Sequence, residues 1–527
     1  MKKTIIPFAA MSLMIMASCK NVEPGNPSTL DIFATNAGYG IDWINDSIKE
    51  FKELDWVKEK YPDLTVNFGP GDYDTSSSIG SKITSGSERV NKYDLLFTCN
   101  PCGDSFGKNI NTTSYEEFTE LYSSKIPGES ISIEDKMQKE FFDIQKTKFP
   151  SDEKEYIFSF PWVLGSQAIV YNETKLQKYI PDYELPRTTN ELIKMLETLT
   201  PAMKEDEDAP WLMLNGGDYN DGTLNVWWAQ YEGVANYTNY FEGKNAAGEY
   251  SSDNYKQKGR LNALKTLEDL YQTEFIHEDS YLGVKKFMTI QNRFVRGLDG
   301  IFMFQGDWFE NENKSTITDQ VFNWMKNPVS SYVIEKCDSI DTDESLSKTI
   351  KVIDEDKTFS EAQAAVAGLS EHDYEYIKTA RNINYVLYGH QAHIPNYSSG
   401  KEVAKDFLAY MASDKGISTR MKSGKGYQTG FNYTADEETE ASFSKLQKTR
   451  YEIGKTSVSL KPKSSFYLFN FGGLTAWKNI HPEQAFTASL EKDRKTAEQL
   501  FNEEVEYFTK DNSANFKNIL KQAGINI

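Results

Sequence analysis

Cys99 and Cys102, in Cys-Asn-Pro-Cys, stand at the spacing at which two thiols can close a strained, reducible disulfide. No thioredoxin-sized unit surrounds the pair, and one such pair without a second is weak as a zinc site. A structural disulfide or two thiols is the main reading, with redox or metal work as the alternative. His390 and His393, in His-Gln-Ala-His, are too close to act as i,i+4 ligands on a helix and read as ordinary residues before a strand at Ile394. Asp338, Asp341, Asp343 and Glu344 lack the ligand spacing and glycine of a calcium loop and read as a solvated face. Cys337 beside them reads as a lone thiol. The 78 acids leave room for the paired carboxylates of glycoside hydrolysis. The sequence shows no Gly-x-Ser-x-Gly elbow, His-Glu-x-x-His helix or phosphate-binding glycine loop. What it holds in quantity is aromatic: 30 Tyr, 31 Phe and 9 Trp.

The elements that must position these residues belong to a chain of 527 residues, too long for one core and too apolar, at 39% hydrophobic, to be disordered. Two domains are expected. Lys and Arg number 58 against 78 Asp and Glu, a net charge of −20, which repels phosphate backbones and argues against nucleic acid as a partner. Lys2 and Lys3 precede an apolar stretch from Ile5 to Met16 that is too short to cross a bilayer and suits a signal-peptide core. Met16-Ala17-Ser18-Cys19 resembles the lipobox of bacterial lipoproteins, which implies cleavage before Cys19 and lipidation of its thiol; the alternative is a plain secretory signal. Residues 1–18 are then a lipoprotein signal peptide and 19–28, with two Pro and a Gly, a flexible tether.

From Leu30 the spacing predicts a strand, a helix over Asp42–Tyr61, a second strand at Leu64, Val66 and Phe68, and a third over Tyr93–Phe97. Strand and helix alternate in this way in parallel α/β sheets. Downstream, Ala168–Tyr171, Trp211–Leu214 and Leu298–Phe304 read as strands. Leu261–Tyr271, Val403–Met411 and Leu490–Val505 read as helices. Residues 310–380 are more polar and read as a surface elaboration.

The order of motifs resembles the extracellular solute-binding proteins of ABC importers, in the maltodextrin-binding, carbohydrate-uptake branch. Lys82-Ile83-Thr84-Ser85-Gly86 followed by Tyr93-Asp94-Leu95-Leu96-Phe97 is similar to that family's helix end and third strand. Pro161–Asn172 is similar to its first interlobe crossing. Phe294-x-x-Gly297 through Gly306-Asp307-Trp308 resembles the segment where its chain returns to the first lobe, and Ile394-Pro395, Ser398 and Lys401–Ala412 resemble a strand and its following helix. The resemblance implies a two-lobed, type II periplasmic-binding-protein α/β fold. Each lobe would be a mixed, mainly parallel sheet flanked by helices, with the ligand cleft between. It assigns 29–160 with 298–413 to lobe 1, 161–297 with 414–527 to lobe 2, and 310–380 to an elaboration within lobe 1.

Function follows as expectation: a receptor, not an enzyme, that captures a carbohydrate by hinge closure and delivers it to an ABC permease. It would need no cofactor or metal, and would act as a monomer held by lipid at the outer face of the cytoplasmic membrane or in the periplasm. Sugars offer weakly apolar faces and a rim of hydroxyls, so their site needs aromatic plates beside carboxylates and amides. Trp308 follows a buried strand, and the resemblance makes it the stacking tryptophan, with hinge packing as the alternative. Asp307 beside it reads as a ligand contact or a helix N-cap. Asp218 and Tyr219 follow the Trp211–Leu214 strand in a Gly-Gly turn. Of Trp227 and Trp228 one is core and one faces the cleft, and Trp228 is taken as the latter. Trp162 lies at the first crossing, as site or packing; Asn36 and Tyr39 lie on the first turn; Asn100 follows the third strand, and Tyr467 lies in a C-terminal aromatic run. Several charged residues of the maltodextrin binder are replaced, by Ala37-Gly38 on the first turn, by Thr98–Cys102 after the third strand and by Gly165 at the crossing, so maltose is not implied. The alternatives are a secreted glycoside hydrolase, a binder of peptide or polyol on the same fold, and a surface adhesin or sensor.

Overall fold

The computed structural model describes residues 28–72, 79–80, 82–84, 86–87, 91–99, 113–148, 154–205, 213–215, 219–271, 275, 287–317, 319–424, 427–461, 466, 468 and 495–526. Strand β1 (Thr29–Thr35) opens the first sheet. Its alternation sends Leu30, Ile32 and Ala34 into the main core and Phe33 into a cluster with Ile79, Ile83 and Leu96 on the other face. It pairs in parallel with β2 (Thr65–Gly71) and β3 (Leu95–Phe97). The single helix expected over Asp42–Tyr61 is two, Asp42–Glu53 and Asp55–Lys60, because Leu54 between them is extended at φ −66 and ψ 131. The first buries Trp43, Ile44, Ser47 and Phe51, one stripe of a 3.6-residue period. Strands β12 (Gln391–His393) and β6 (Phe160–Pro161), joined antiparallel, complete the order β2-β1-β3-β12-β6, and β4 (Lys146–Lys148) and β5 (Glu155–Ile157) form a separate antiparallel pair.

The second sheet runs β13 (Val458–Leu460), β11 (Ile383–Leu387), β7 (Gly165–Asn172), β9 (Phe302–Gly306) and β8 (Met213–Asn215), with β10 (Phe322–Met325) also paired to β7. Strand β7 puts Ile169 and Tyr171 into the main core and Ala168 and Val170 into a cluster with Phe294, Met303 and Trp324. It is antiparallel to β9, β10 and β11, while β8/β9 and β11/β13 are parallel. Both sheets are therefore mixed, not mainly parallel. A strand that enters from the neighbouring lobe, rather than from its own helix, has no crossover to turn it parallel.

Three passages join the lobes. Trp162–Leu164 lead from β6 to β7, and Tyr388–His390 lead from β11 to β12. The third passes Gln428, between the helix Asp414–Ser423 and the helix Lys445–Lys455. They are bonded side by side: Trp162 N–H donates to His390 O at 3.2 Å and Leu164 N–H to Gln428 O at 2.9 Å.

The lobe boundaries differ from those expected. Strand β9 lies in the second sheet, so the chain does not return to lobe 1 at 298 but at β12. The segment after β10 goes with lobe 2: Val329 to Ala380 contribute a separate small core, Thr188 bridges Val329, and Tyr376 donates to Gln230 O at 2.9 Å. The helix Asp414–Ser423, expected in lobe 2, stays on lobe 1, where Lys415 pairs with Glu50 at 3.0 Å. A strand-end motif reads the same whichever sheet the strand joins, which is why the pattern misplaced these passages. Asp343, expected on a solvated face, accepts from Thr188 Oγ1 at 2.8 Å and Ser331 Oγ at 2.6 Å. The C-terminal segment Ala497–Gln522, two helices broken at Lys510–Ser513, closes lobe 2 through a bidentate pair, Arg260 Nε and Nη2 on Glu504 at 2.7 and 2.6 Å. Among the described residues no helix is long and apolar enough to cross a membrane.

Candidate functional site

The ends of β1 and β9 and the three passages meet at one aromatic cluster. Strand β1 ends in the turn that carries Tyr39, and β9 ends at Gly306, which places Asp307 and Trp308 opposite it. The Tyr39 ring stands edge-on to Trp162, Trp308, His390 and Tyr427, with centroids 5.9, 5.6, 5.1 and 4.8 Å away. Tyr219, just ahead of the helix Asn220–Glu232, adds a tilted contact to Trp308 at 5.9 Å. These are the carboxyl ends of strands and the seams between lobes, where an open α/β sheet binds ligands.

Trp308 lies in a seat made of glycines. An ideal Cβ on Gly306 would fall 2.3 Å from its Cζ2, one on Gly38 would fall 2.5 Å from its Cδ1, and one on Gly165 would fall 3.2 Å from its Cζ3. Gly38 belongs to lobe 1, so one wall of the seat comes from across the cleft. Asn311 Nδ2 donates to Gly38 O at 2.9 Å, and Lys314 pairs with Asp42 at 2.6 Å, two further links between the lobes.

Under the indole sits a buried ion pair. Asp307 accepts from the Tyr39 hydroxyl at 2.5 Å, and Arg450 Nε lies 2.8 Å from its other oxygen. The Asp307 backbone N–H donates to Ser166 O at 3.0 Å. Burial raises the Asp307 carboxyl above the usual range, opposed by Arg450 and then by Tyr39. Burial, then Asp307, lifts the Tyr39 phenol well above its ordinary value. The geometry leaves Arg450 Nε and Nη2 without an aligned hydrogen bond. Tyr427 donates to Tyr39 O at 2.9 Å and fixes the turn.

The residues singled out from sequence divide clearly. Trp308, Asp307, Tyr39, Tyr219 and Trp162 are brought together. Trp162 is enclosed: its indole stacks on Trp43 at 4.1 Å and 12°, and its N–H donates to Thr98 O at 3.0 Å. Asn36 is exposed at the end of β1, its backbone N–H held by Gly71 O at 2.7 Å. Trp228 is a correction. It is fully buried in lobe 2 among Tyr237, Tyr240 and Phe241, under the Arg260 guanidinium, and its N–H donates to Gln257 at 2.8 Å, so it does not face the cleft. Trp227 is buried too and donates to Pro328 O at 3.1 Å. Asp218, Asn100, Tyr467, Cys19 and Cys102 lie outside the described residues. Among the described residues no group of three His, Cys, Asp or Glu is placed to hold a metal ion.

Sequence reasoning missed His390, Tyr427 and Arg450. The His-Gln-Ala-His spacing marks His390 only as an ordinary residue before a strand, yet it stands on the second passage inside the aromatic ring, and burial pushes its imidazole down to about 3. No local signal marks Arg450, which meets Asp307 only through the fold.

No protein-family model matches the sequence, and no curated protein matches it. Solved structures do share the fold. The bacterial solute receptor AcbH, whose substrate preference is exclusively β-D-galactopyranose, aligns with a TM-score of 0.56 at 12% identity, over 94% of this chain and 99% of that one. A chitin oligosaccharide binding protein aligns at 0.53 and 12%, over 90% and 97%. The binding protein MsmE from Bacillus subtilis, in an open conformation, aligns at 0.51 and 12%, over 94% and 98%.

Proposed function

We propose that this chain is an extracytoplasmic solute-binding receptor that captures a carbohydrate between its lobes and passes it to an ABC permease. The observation that carries the reading is Trp308: an indole at the end of a second-lobe strand that closes against Gly38 of the first lobe, ringed by Tyr39, Tyr219 and His390. An aromatic plate between two lobes joined by three short passages can cover a sugar face on closing, and the ligand then shifts the population toward the closed state. The sugar-binding proteins of the same fold support the ligand class. The signal-like start, ending at Cys19, supports a lipid anchor at the outer face of the cytoplasmic membrane, with the chain acting as a monomer beside its permease.

Catalysis is not part of the proposal. Asp307 is engaged by Tyr39 and Arg450, a structural tie rather than the acid and nucleophile pair that glycoside hydrolysis requires. The test is thermal unfolding of residues 28–527 against monosaccharides, oligosaccharides, polyols and peptides. A ligand at 100 times its Kd stabilises by about 2.7 kcal/mol. A saturable shift with the glycan recovered intact supports the receptor. A cleaved glycan replaces it with the hydrolase, and a shift from peptides alone overturns the ligand class.

A further inference from the structure

His390 and His393 lie in one short segment and are both buried, yet their chemistry differs. His393 Nδ1 lies 2.8 Å from the Phe158 carbonyl and is satisfied there. His390 has no hydrogen-bond partner at either ring nitrogen, though only 5% of its surface reaches solvent. A buried imidazole left in that state is costly, and native folds keep such groups for water, an ion or a ligand. Its surroundings say which. The ring stands edge-on to Tyr39 at 5.1 Å, Trp162 at 5.6 Å and Trp308 at 6.3 Å. Its Nε2 stands close over Gly165, where the Tyr39 hydroxyl and the Trp308 indole also converge: an ideal Cβ there would lie 3.3 Å from Nε2, 3.1 Å from the Tyr39 hydroxyl and 3.2 Å from Trp308 Cζ3, so in this closed arrangement the spot has no room even for a methyl. Further polar atoms without an aligned hydrogen bond sit on the same and neighbouring elements, among them Gln391 Oε1, Gln428 Oε1 on the third passage, and Arg450 Nε and Nη2 beside Asp307. Tyr39 belongs to lobe 1 and Trp308 to lobe 2, so the imidazole lies at the seam between them.

We propose that His390 is a ligand-reading residue at the floor of the cleft, its Nε2 hydrogen-bonding a hydroxyl of a neutral carbohydrate whose face Trp308 covers. The proposal rests on the carbohydrate-receptor reading above and adds the polar contact and the charge class of the ligand. A neutral imidazole offers one N–H and one lone pair. A hydroxyl answers either, whereas a carboxylate can only accept and an ammonium can only donate. The charges beside it, Asp307 and Arg450, already face one another and leave no net charge for an ionic ligand to neutralise. Burial keeps the ring uncharged, its pKa pushed down to about 3, so the contact persists across the whole physiological range.

The test compares His390→Phe, His390→Gln and His393→Phe with the unaltered chain. Each is followed by thermal unfolding alone and against a panel of neutral sugars (galactose, raffinose, chitobiose, maltotriose) and two anionic ones (glucuronate, sialic acid). If His390 waits for ligand, His390→Phe removes an unsatisfied group. Its ligand-free midpoint then rises by about a degree or more, while affinity for the responding neutral sugar falls by about tenfold. His390→Gln keeps a donor and an acceptor and recovers part of that affinity. His393→Phe loses a made bond, so its midpoint falls. A lower ligand-free midpoint for His390→Phe overturns the proposal, because the imidazole is then satisfied within the fold by water. Unchanged sugar affinity in His390→Phe, or a response to the anionic sugars alone, overturns it while leaving the receptor standing. Silence from every sugar in the unaltered chain removes the receptor reading itself and the proposal with it.

Discussion

Gly38→Ala isolates the closing of the lobes from the stability of either one. The backbone of Gly38 is not in the left-handed region, so alanine costs nothing in conformation and the effect is steric. Its Cβ would lie 2.5 Å from Trp308 Cδ1 and 2.6 Å from Cγ, where ordinary carbon contacts are about 3.5–4.0 Å. The overlap is thus on the order of 1 Å. Trp308 has nowhere to retreat, because its far edge already rests on Gly306 and Gly165. Overpacking of this size costs about 1–3 kcal/mol. That cost falls on the closed arrangement alone, since Gly38 and Trp308 belong to different lobes. A sugar that binds by closure should bind about 5- to 150-fold more weakly. The assay is calorimetric titration with the sugar found by the thermal panel, beside small-angle scattering of the ligand-free chain. The variant should show a larger radius of gyration and an unfolding midpoint close to that of the parent. Unchanged affinity together with unchanged scattering would refute the argument, for it would mean that the ligand-bound state does not press Trp308 on Gly38.

The two kinds of tryptophan should separate by readout: Trp308→Ala removes the sugar-induced thermal shift, whereas Trp228→Ala costs about 3–5 kcal/mol of stability in denaturant melts. Asp307→Asn leaves the Arg450 guanidinium buried without a counter-charge and should cost about 3–5 kcal/mol. Tyr39→Phe should cost only about 1–2 kcal/mol, so equal losses would contradict the ion pair. Acid should weaken the fold through its histidines. Burial holds His390 and His393 at about 3 and about 4, below their ordinary 6.5, so between those limits the unfolded chain binds protons that the native chain refuses. Stability is then complete above pH 6.5 and falls by about 1.4 kcal/mol per pH unit for each histidine as the pH drops below it. His390→Phe should flatten the slope by one histidine's share in urea melts from pH 7 to 4.5. Cys337, whose thiol burial pushes up to about 12, should resist iodoacetamide at pH 8 in the folded chain and react after unfolding, as read by peptide mass spectrometry.

How much of this was legible in the sequence depended on whether the signal was local. Strand β1, strand β7 and the helix Lys401–Ala412 carry their period in a few neighbouring residues, and they fold as that period dictates. The break at Leu54 was hidden because the apolar spacing continues through it, so two short helices present one uninterrupted stripe. The choice between Trp227 and Trp228 failed for a different reason. The helix that bears them is buried on every side from Gly222 to Tyr231, so it has no solvent face against which a cleft-facing position could stand out. Sheet membership was illegible at β9 because Gly306-Asp307-Trp308 specifies how a strand ends and says nothing of which strand lies beside it.

The site shows the same division in a sharper form. Tyr39, Asp307 and Trp308 announced themselves as a tyrosine, an acid and an indole at strand ends. Their partners did not, because each earns its role only from across the fold. Arg450 is an ordinary helical arginine until it meets Asp307, and Gly38 passes for a turn residue although its φ asks for no glycine. What Gly38 supplies is the absence of a side chain opposite Trp308, and Gly165 and Gly306 supply the same from two other segments. Three glycines around one indole make a recess that any Cβ would fill. Because one of the three lies on the opposite lobe, the recess is completed across the seam between the lobes. Trp308 is packed with the main core as well, so it is the seat, and not exposure, that ties this indole to the contact between the lobes.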